Sequence, residues 1–136
     1  MKKYLSTVAV SLAMVFMFGL TASSQTLKTA PKDFQTFFAK FRSAVERSAK
    51  TEVAGMARFP FDYAYDAGDE GKYTKAQFTR HFKDMFGPNA GKYFSDIELT
   101  FNRDGSNYQV STSDATHLAF KKVGTTFKFV GFLVEP

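Results

Sequence analysis

Four phenylalanines on one helical stripe constrain this chain more than any other feature. From Pro31 onward the apolar residues recur at steps of three and four, which places them on one face of an α-helix: Phe34, Phe37, Phe38, Phe41, Ala44 and Val45. Burying each ring contributes roughly 1.5–3 kcal/mol, so such a stripe must cover another element of the fold. We therefore predict a helix that begins at Pro31 and loosens near Ser48, followed by a second helical turn over Glu52–Ala57.

The beginning of the chain has the pattern of a secretory signal peptide. A basic start precedes an apolar run over Val8–Leu20, which is too short to span a bilayer comfortably. Small residues follow at Ala22-Ser23-Ser24, where a signal peptidase would cut. We predict a signal peptide over residues 1–24, an uncleaved membrane anchor being the alternative, and a single domain over residues 25–136. The protein is then secreted or periplasmic, with no membrane attachment after signal removal.

Composition argues against several classes of function. The sequence has no cysteine, which excludes disulfides and a thiol nucleophile. Its formal charge of +5 falls to +3 without the signal peptide and is spread out, whereas nucleic-acid binding needs a clustered basic face. The acidic interval Asp62–Tyr73 lacks the ligand spacing of an EF-hand, and no histidine-rich metal spacing or glycine-rich phosphate loop occurs. We expect no cofactor, no metal and no nucleic-acid partner.

The remaining elements indicate an α+β fold. Arg58–Phe61 is predicted to be extended, and the polar interval Asp62–Tyr73 contains a predicted exposed, solvated turn at Ala67–Gly71. Thr74 and Gln77 form a capping box at the start of a helix over Thr74–Phe86, which Gly87 ends. Alternating apolar and polar residues then predict four antiparallel strands: Asp96–Asn102, Asn107–Ser113, Thr116–Val123 and Thr126–Glu135.

The last of these strands is apolar on both faces, so we expect it near the centre of the sheet or covered on both sides. The fold class is therefore α+β, with N-terminal helices packed on a four-stranded antiparallel sheet and preceded by a signal peptide.

The order of these elements resembles the nuclear transport factor 2-like superfamily. The likeness rests on the phenylalanine-rich helix, the Phe59-Pro60-Phe61 step, the helix that ends in Met85-Phe86-Gly87, and the closing strand pair. More narrowly, it is similar to small exported bacterial members that have no assigned function. The resemblance implies a curved sheet wrapped around a long helix, forming a cone whose open end holds a small molecule. It also implies that dimers through the sheet are common.

Acid–base chemistry would need titratable groups inside an apolar cavity, where burial moves a pKa toward neutrality. Enzymes of the superfamily, such as scytalone dehydratase and ketosteroid isomerase, place Asp, His and Tyr side chains inside the cone, but their patterns do not match this chain residue by residue. The catalytic candidates are His117, His81, Asp62 and Asp66. Leu118 and Phe120 take the more apolar face of their strand, so His117 is expected to look outward.

Five aromatic residues are candidates for ligand binding: Phe37, Phe41, Tyr63, Tyr65 and Tyr108. The two helical phenylalanines would line an aromatic pocket, and Tyr63 and Tyr65 would share one face of a strand as a recognition surface. For each of them, core packing is the alternative.

The sequence contains no motif that fixes a reaction. We expect an exported, non-catalytic domain that binds a small apolar ligand or a protein partner. A small dehydratase- or isomerase-type enzyme with an acid–base site in the cone is one alternative, and a structural module that dimerises through its sheet is another.

Overall fold

The computed structural model of the chain describes residues 23–25, 27–66 and 68–135. Four α-helices lie within this part of the chain: α1 (Lys32–Glu46), α2 (Lys50–Gly55), α3 (Lys75–Arg80) and α4 (Phe82–Phe86). Short 3-10 turns cover Leu27–Thr29 and Ala90–Lys92. The predicted helix from Pro31 and the helical turn after it therefore correspond to α1 and α2.

The strands form one mixed sheet. Six of them are β2 (Ala57–Ala64), β3 (Glu70–Tyr73), β4 (Ile97–Phe101), β5 (Asn107–Thr112), β6 (Thr116–Val123) and β7 (Thr126–Val134). A short β1 (Ser23–Gln25) adds to the edge at β4, and the order across the sheet is β1-β4-β5-β6-β7-β2-β3.

The sheet corrects the prediction of four antiparallel strands. The four predicted strands are present as β4 to β7, but β2 lies beside β7 and runs parallel to it, and β3 pairs with β2 as an antiparallel hairpin. The exposed turn predicted at Ala67–Gly71 ends earlier than expected, because β3 begins at Glu70 and the polar interval forms this hairpin. The backbone pairs Phe61 with Tyr73 and Tyr63 with Gly71, and the charged residues Glu70 and Lys72 of β3 are exposed.

Strand β7 lies inside the sheet, between β6 and β2. Phe127, Phe129 and Phe132 are buried on the side of the helices, and Val130 and Leu133 are buried as well. The apolar character of β7 on both faces thus matches its internal position.

Aromatic rings fill the space between α1 and the sheet. Phe34, Phe38 and Phe41 are fully buried, and Phe41 packs edge-on against Phe120 and Phe129 at centroid distances of 5.0 and 4.9 Å. Phe34 stacks on Tyr108 at 3.9 Å. Around Phe34 and Phe41, the space between α1 and the sheet is therefore occupied by the protein's own side chains.

The helix over Thr74–Phe86 is capped as predicted but is interrupted. The Thr74 hydroxyl accepts a hydrogen bond from the Gln77 amide, and the Gln77 side chain accepts one from the Thr74 amide. The interruption is at His81, whose φ of −97° and ψ of 13° leave the helical region and separate α3 from α4. Gly87, at a φ of +69°, ends α4 in a conformation that favours glycine.

Residues 1–22, which make up most of the predicted signal peptide, lie outside the described residues. Strand β1 spans the predicted cleavage site after Ser24, so removal of the signal peptide would leave β4 as an edge of the sheet. Within the described parts of the chain, no helix combines the length and the apolar character needed to cross a membrane.

Candidate functional site

A cleft lined by three tyrosines opens where the β2–β3 hairpin meets α3 and α4. Its volume is about 340 Å³, and we call it the tyrosine cleft, defined by Tyr63, Tyr65, Asp69, Tyr73, His81 and Asp84. It brings together two of the predicted ligand-binding residues, Tyr63 and Tyr65, and one predicted catalytic residue, His81. Because both aromatic and titratable side chains meet here, this cleft is the candidate functional site.

Gly71 lets the Tyr63 ring lie across the hairpin. The two residues are paired directly between β2 and β3, and the position of a Cβ on Gly71 would be 3.0 Å from the Tyr63 hydroxyl oxygen. With no side chain on Gly71, the Tyr63 ring stacks on Tyr73, the centroids being 4.0 Å apart with 15° between the planes. The hairpin thereby presents Tyr63 and Tyr73 as a stacked pair.

The interruption between α3 and α4 places His81 in the same stack. Its imidazole lies parallel to the Tyr73 ring, with 4.8 Å between the centroids and 4° between the planes. Its Nδ1 is 2.7 Å from Oδ2 of Asp84, three residues along the chain. When the imidazole is neutral and Nδ1 donates to Asp84, Nε2 is left as a hydrogen-bond acceptor.

The tyrosine hydroxyls are held in the protonated form. Tyr65 and Tyr73 share a hydrogen bond of 3.1 Å between their hydroxyl oxygens. Burial raises the pKa of Tyr65 well above its usual range, and its hydrogen bond to Tyr73 raises it further. Burial also raises the pKa of Tyr73, and burial together with the nearby negative charge of Asp69 raises that of Tyr63. These groups therefore act as hydrogen-bond donors rather than as anions at neutral pH.

The other histidine lies on the opposite face of the sheet, away from the tyrosine cleft. His117 alternates with the core residues Leu118 and Phe120 on β6, and its side chain is 14% exposed. Its Nδ1 is 2.7 Å from the Ser111 hydroxyl, and its Nε2 contacts the Glu135 carboxylate. His117 therefore cannot act with Tyr63 or Tyr65 on one substrate.

The acidic candidates Asp62 and Asp66 also lie outside the cleft. Asp62 forms an ion pair with Lys72 across the β2–β3 hairpin, on the face of the sheet away from the helices. Asp66 is exposed in the turn that follows β2. Neither carboxylate is enclosed in an apolar cavity, so neither has the surroundings that the acid–base hypothesis requires.

Three predicted ligand-binding residues belong to other parts of the molecule. Phe41 and Tyr108 are buried in the ring-filled core, so we assign both to packing. Phe37 is half-buried and lines a separate cleft of about 340 Å³ between α1 and the turn that joins β6 and β7. The aromatic residues of α1 therefore lie partly in the core and partly at the surface, and their helical spacing alone does not predict which residue lies where.

Larger clefts lie elsewhere in the molecule. A cleft of about 840 Å³ is lined by residues near Leu27, by Arg42, by the first residues of β4 and by the last residues of β5. Another, of about 470 Å³, lies between the Gly87–Lys92 segment and β6 and β7. Among the described residues that line them, neither cleft has a hydrogen-bonded pair of titratable side chains stacked with an aromatic ring.

Sequence reasoning missed Tyr73, Asp69 and Asp84. Asp84 lies three residues after His81 in a predicted helix, and that spacing brings side chains together on one helix face, so the pair was detectable. Tyr73 and Asp69 were hidden because their polar interval was interpreted as containing a solvated turn.

Among the described residues, no group of three or more His, Asp or Glu side chains is arranged to hold a metal ion. Comparison of the chain with models of protein families, with characterised proteins and with solved structures finds no match.

Proposed function

We propose that this protein is an exported domain that binds a small molecule in the tyrosine cleft. The observation that carries the proposal is the convergence of three tyrosine rings and a hydrogen-bonded His81–Asp84 pair in one opening beside a filled core. Export rests on the predicted signal peptide, and a fold like that of the nuclear transport factor 2-like superfamily rests on the order of the elements.

The chemistry of the cleft suits a compact ligand with both apolar and polar parts. Tyrosine rings supply apolar contact area, while their protonated hydroxyls can donate hydrogen bonds. A volume of about 340 Å³ falls at the small end of the range of about 300–1,000 Å³ that is typical of ligand sites. The apolar ligand expected from the sequence is therefore replaced by an amphipathic one.

A fragment screen observed by NMR tests this proposal. We expect ligands to shift the amide signals of Gly71 and His81 and to leave that of Gly124, on the β6–β7 turn, unchanged. Tyr65→Phe removes one hydroxyl of the cleft and should weaken polar fragments, whereas Tyr93→Phe, outside the cleft, should not. Fragments that shift signals only around Phe37 or Arg42 would contradict the assignment of the site.

An acid–base enzyme of the dehydratase or isomerase type is a second candidate. The 2.7 Å contact between His81 and Asp84 would orient the imidazole as a base, and the Tyr65–Tyr73 pair could polarise a carbonyl oxygen. The test is exchange of deuterium from solvent into the carbon next to the carbonyl of a ketone panel. Exchange that His81→Asn abolishes would favour the enzyme, and exchange no faster than without protein would exclude it for that panel.

A structural role through a homodimer is a third alternative. The face of the sheet away from the helices carries Gln109, Ser111 and His117, a polar set that is acceptable in a modest interface. Light scattering on the mature protein separates monomer from dimer, and cell fractionation tests the secreted or periplasmic location.

A further inference from the structure

A serine, a histidine and a glutamate form a hydrogen-bonded chain on the face of the sheet away from the helices. Ser111 and His117 are paired directly between β5 and β6. Nδ1 of His117 is 2.7 Å from Oγ of Ser111, and Nε2 contacts the Glu135 carboxylate. The Glu135 amide donates to the Ala115 carbonyl at 3.0 Å, so the backbone holds the glutamate beside the histidine.

We propose that these side chains form a second site, at which the protein hydrolyses a small carboxylic ester. Ser111 is the nucleophile, His117 is the general base, and Glu135 is a positioning residue that acts through the histidine. The site lies on the opposite face of the sheet from the tyrosine cleft, so this activity goes beyond the proposed function and does not depend on it.

The neighbours of His117 select the tautomer that a base needs. An ionised carboxylate accepts hydrogen bonds and cannot donate them, so Nε2 of the neutral imidazole carries the proton that faces Glu135. Nδ1 is then an acceptor, and the side-chain amide nitrogen of Gln109, which is a donor, lies 3.2 Å from it. The Ser111 hydroxyl therefore donates to Nδ1, which is the hydrogen bond through which a base removes the proton of a serine.

Ser111 is open to a substrate. It is half-buried and lines the cleft of about 840 Å³ described above, whereas the His117 side chain is only 14% exposed and largely shielded from water. The charged residues among the described lining of that cleft are Arg42, Asp96 and Glu98, whose formal charges sum to −1. A neutral ester is therefore favoured over an anionic one as the substrate.

The reaction has two stages. Ser111 Oγ forms a bond to the ester carbonyl carbon while its proton moves to Nδ1 of His117. The ester C–O bond then breaks, and the proton passes from Nδ1 to the departing alcohol. Water, activated by the same nitrogen, releases the acid and restores the Ser111 hydroxyl. The Gln109 amide nitrogen, 3.3 Å from Oγ, is placed to donate to the oxyanion that forms in each stage.

Two reactions test the site. A fluorophosphonate probe forms a covalent adduct, with loss of fluoride, on a serine whose hydroxyl is activated by a base, and mass spectrometry of peptides identifies that serine. Hydrolysis of p-nitrophenyl acetate, measured by release of p-nitrophenolate, reports turnover. We expect the adduct on Ser111 and a rate of hydrolysis above that without protein.

Variants assign the roles. Ser111→Ala should lower the rate to that without protein, and His117→Gln should lower kcat by at least about 100-fold. Glu135→Gln should lower kcat about tenfold and leave KM unchanged, as expected of a residue that orients the base. Ser43→Ala removes an exposed serine hydroxyl of α1 and should leave the adduct and the rate unchanged. An amide spectrum of unchanged dispersion shows that each variant is folded.

The proposal is overturned if the adduct forms on another serine or not at all, or if Ser111→Ala hydrolyses the ester as fast as the wild-type protein. An adduct on Ser111 without turnover of the ester would also overturn it, because the acyl group would not leave the serine. None of these results affects the tyrosine cleft, whose binding of fragments is measured independently.

Discussion

At the scale of single residues, the tyrosine cleft depends on the missing side chain of Gly71. The Tyr63 ring occupies the space that a Cβ would need, with the hydroxyl oxygen at 3.0 Å and two ring carbons at 3.3 Å. A glycine that faces an aromatic ring across two strands is a known way of stabilising an edge hairpin. Here the same pairing also positions the ring for stacking on Tyr73.

Gly71→Ala should therefore displace the Tyr63 ring. We expect a loss of about 1–2 kcal/mol in the free energy of unfolding, because the new methyl group must be accommodated by movement of the ring. Urea unfolding measures the loss, and ligand titration measures the damage to the cleft. The matched control is Gly91→Ala, where the added Cβ has nothing within 4 Å. Equal behaviour of the two variants would show that Tyr63 does not need the open space.

Tyr108 gives the molecule a sensitivity to alkaline pH. Burial, with smaller effects from the charges of Asp33 and Asp104, raises its pKa from 10.0 to about 12. The folded state thus keeps a proton that the unfolded chain begins to lose near pH 10. This contribution to stability is fully present below pH 10 and is lost as the pH rises to about 12.

The free energy of unfolding should consequently fall between pH 10 and about 12. Tyr108→Phe keeps the ring that stacks on Phe34 and removes the ionising group, so its pH dependence should be shallower. A slope remains in the variant because burial also raises the pKa of Tyr65, Tyr73 and Tyr93. Urea unfolding of both proteins below and within this pH range measures how the free energy of unfolding changes with pH. An identical pH dependence in the two proteins would contradict the role of Tyr108.

At the scale of the elements, the capping box sets the residue at which α3 begins. Because His81 directly follows α3, the cap also helps to position His81 beside the cleft. Thr74 follows Tyr73 directly, so the same junction ends β3 and begins the helix. Thr74→Ala should cost about 1 kcal/mol of stability, since it removes the acceptor for the Gln77 amide. Thr74→Ser retains that acceptor and should restore most of the loss. Thermal unfolding of the three proteins measures the difference, and a Ser variant as unstable as Ala would contradict the role of the cap.

The elements also show what local sequence could and could not predict. The stripe on α1, the capping box and the alternation in β4 to β7 are local patterns, and each corresponds to an element in the structure. The parallel pairing of β2 with β7 joins segments far apart in sequence, and no local period specifies such a partner.

The candidate site was visible only in part. The alternation of Tyr63 and Tyr65 predicted a strand, and the polar residues around Gly68 predicted an exposed turn after it, but neither pattern indicated the second strand of the hairpin. At the end of the hairpin the Tyr65 amide donates a hydrogen bond to the Asp69 carbonyl. His81 was named from its chemistry, whereas its stacking on Tyr73 depends on a helix interruption that sequence did not indicate.

At the scale of the whole molecule, one aromatic core joins α1 to the sheet. Phe41 is at its centre, in contact with rings from α4, β6 and β7. Phe41→Ala should cost about 3–5 kcal/mol, because the removed ring leaves a cavity that its neighbours cannot fill. Val123→Ala, at a side chain that is 40% exposed, should stay within about 0.5 kcal/mol. Urea unfolding compares them, and a small effect at Phe41 would mean that the core is loosely packed.

The internal position of β7 has a consequence for biosynthesis. Among the described strands, β7, which separates β6 from β2, is the last to be synthesised, and three phenylalanines of the core arrive with it. A nascent chain that stops short of Phe127 leaves two strand edges open to other chains, which is a hazard for aggregation. The sheet can therefore be completed only after translation has passed Val134. A chain threaded through a membrane channel would stay unfolded until β7 has also passed through.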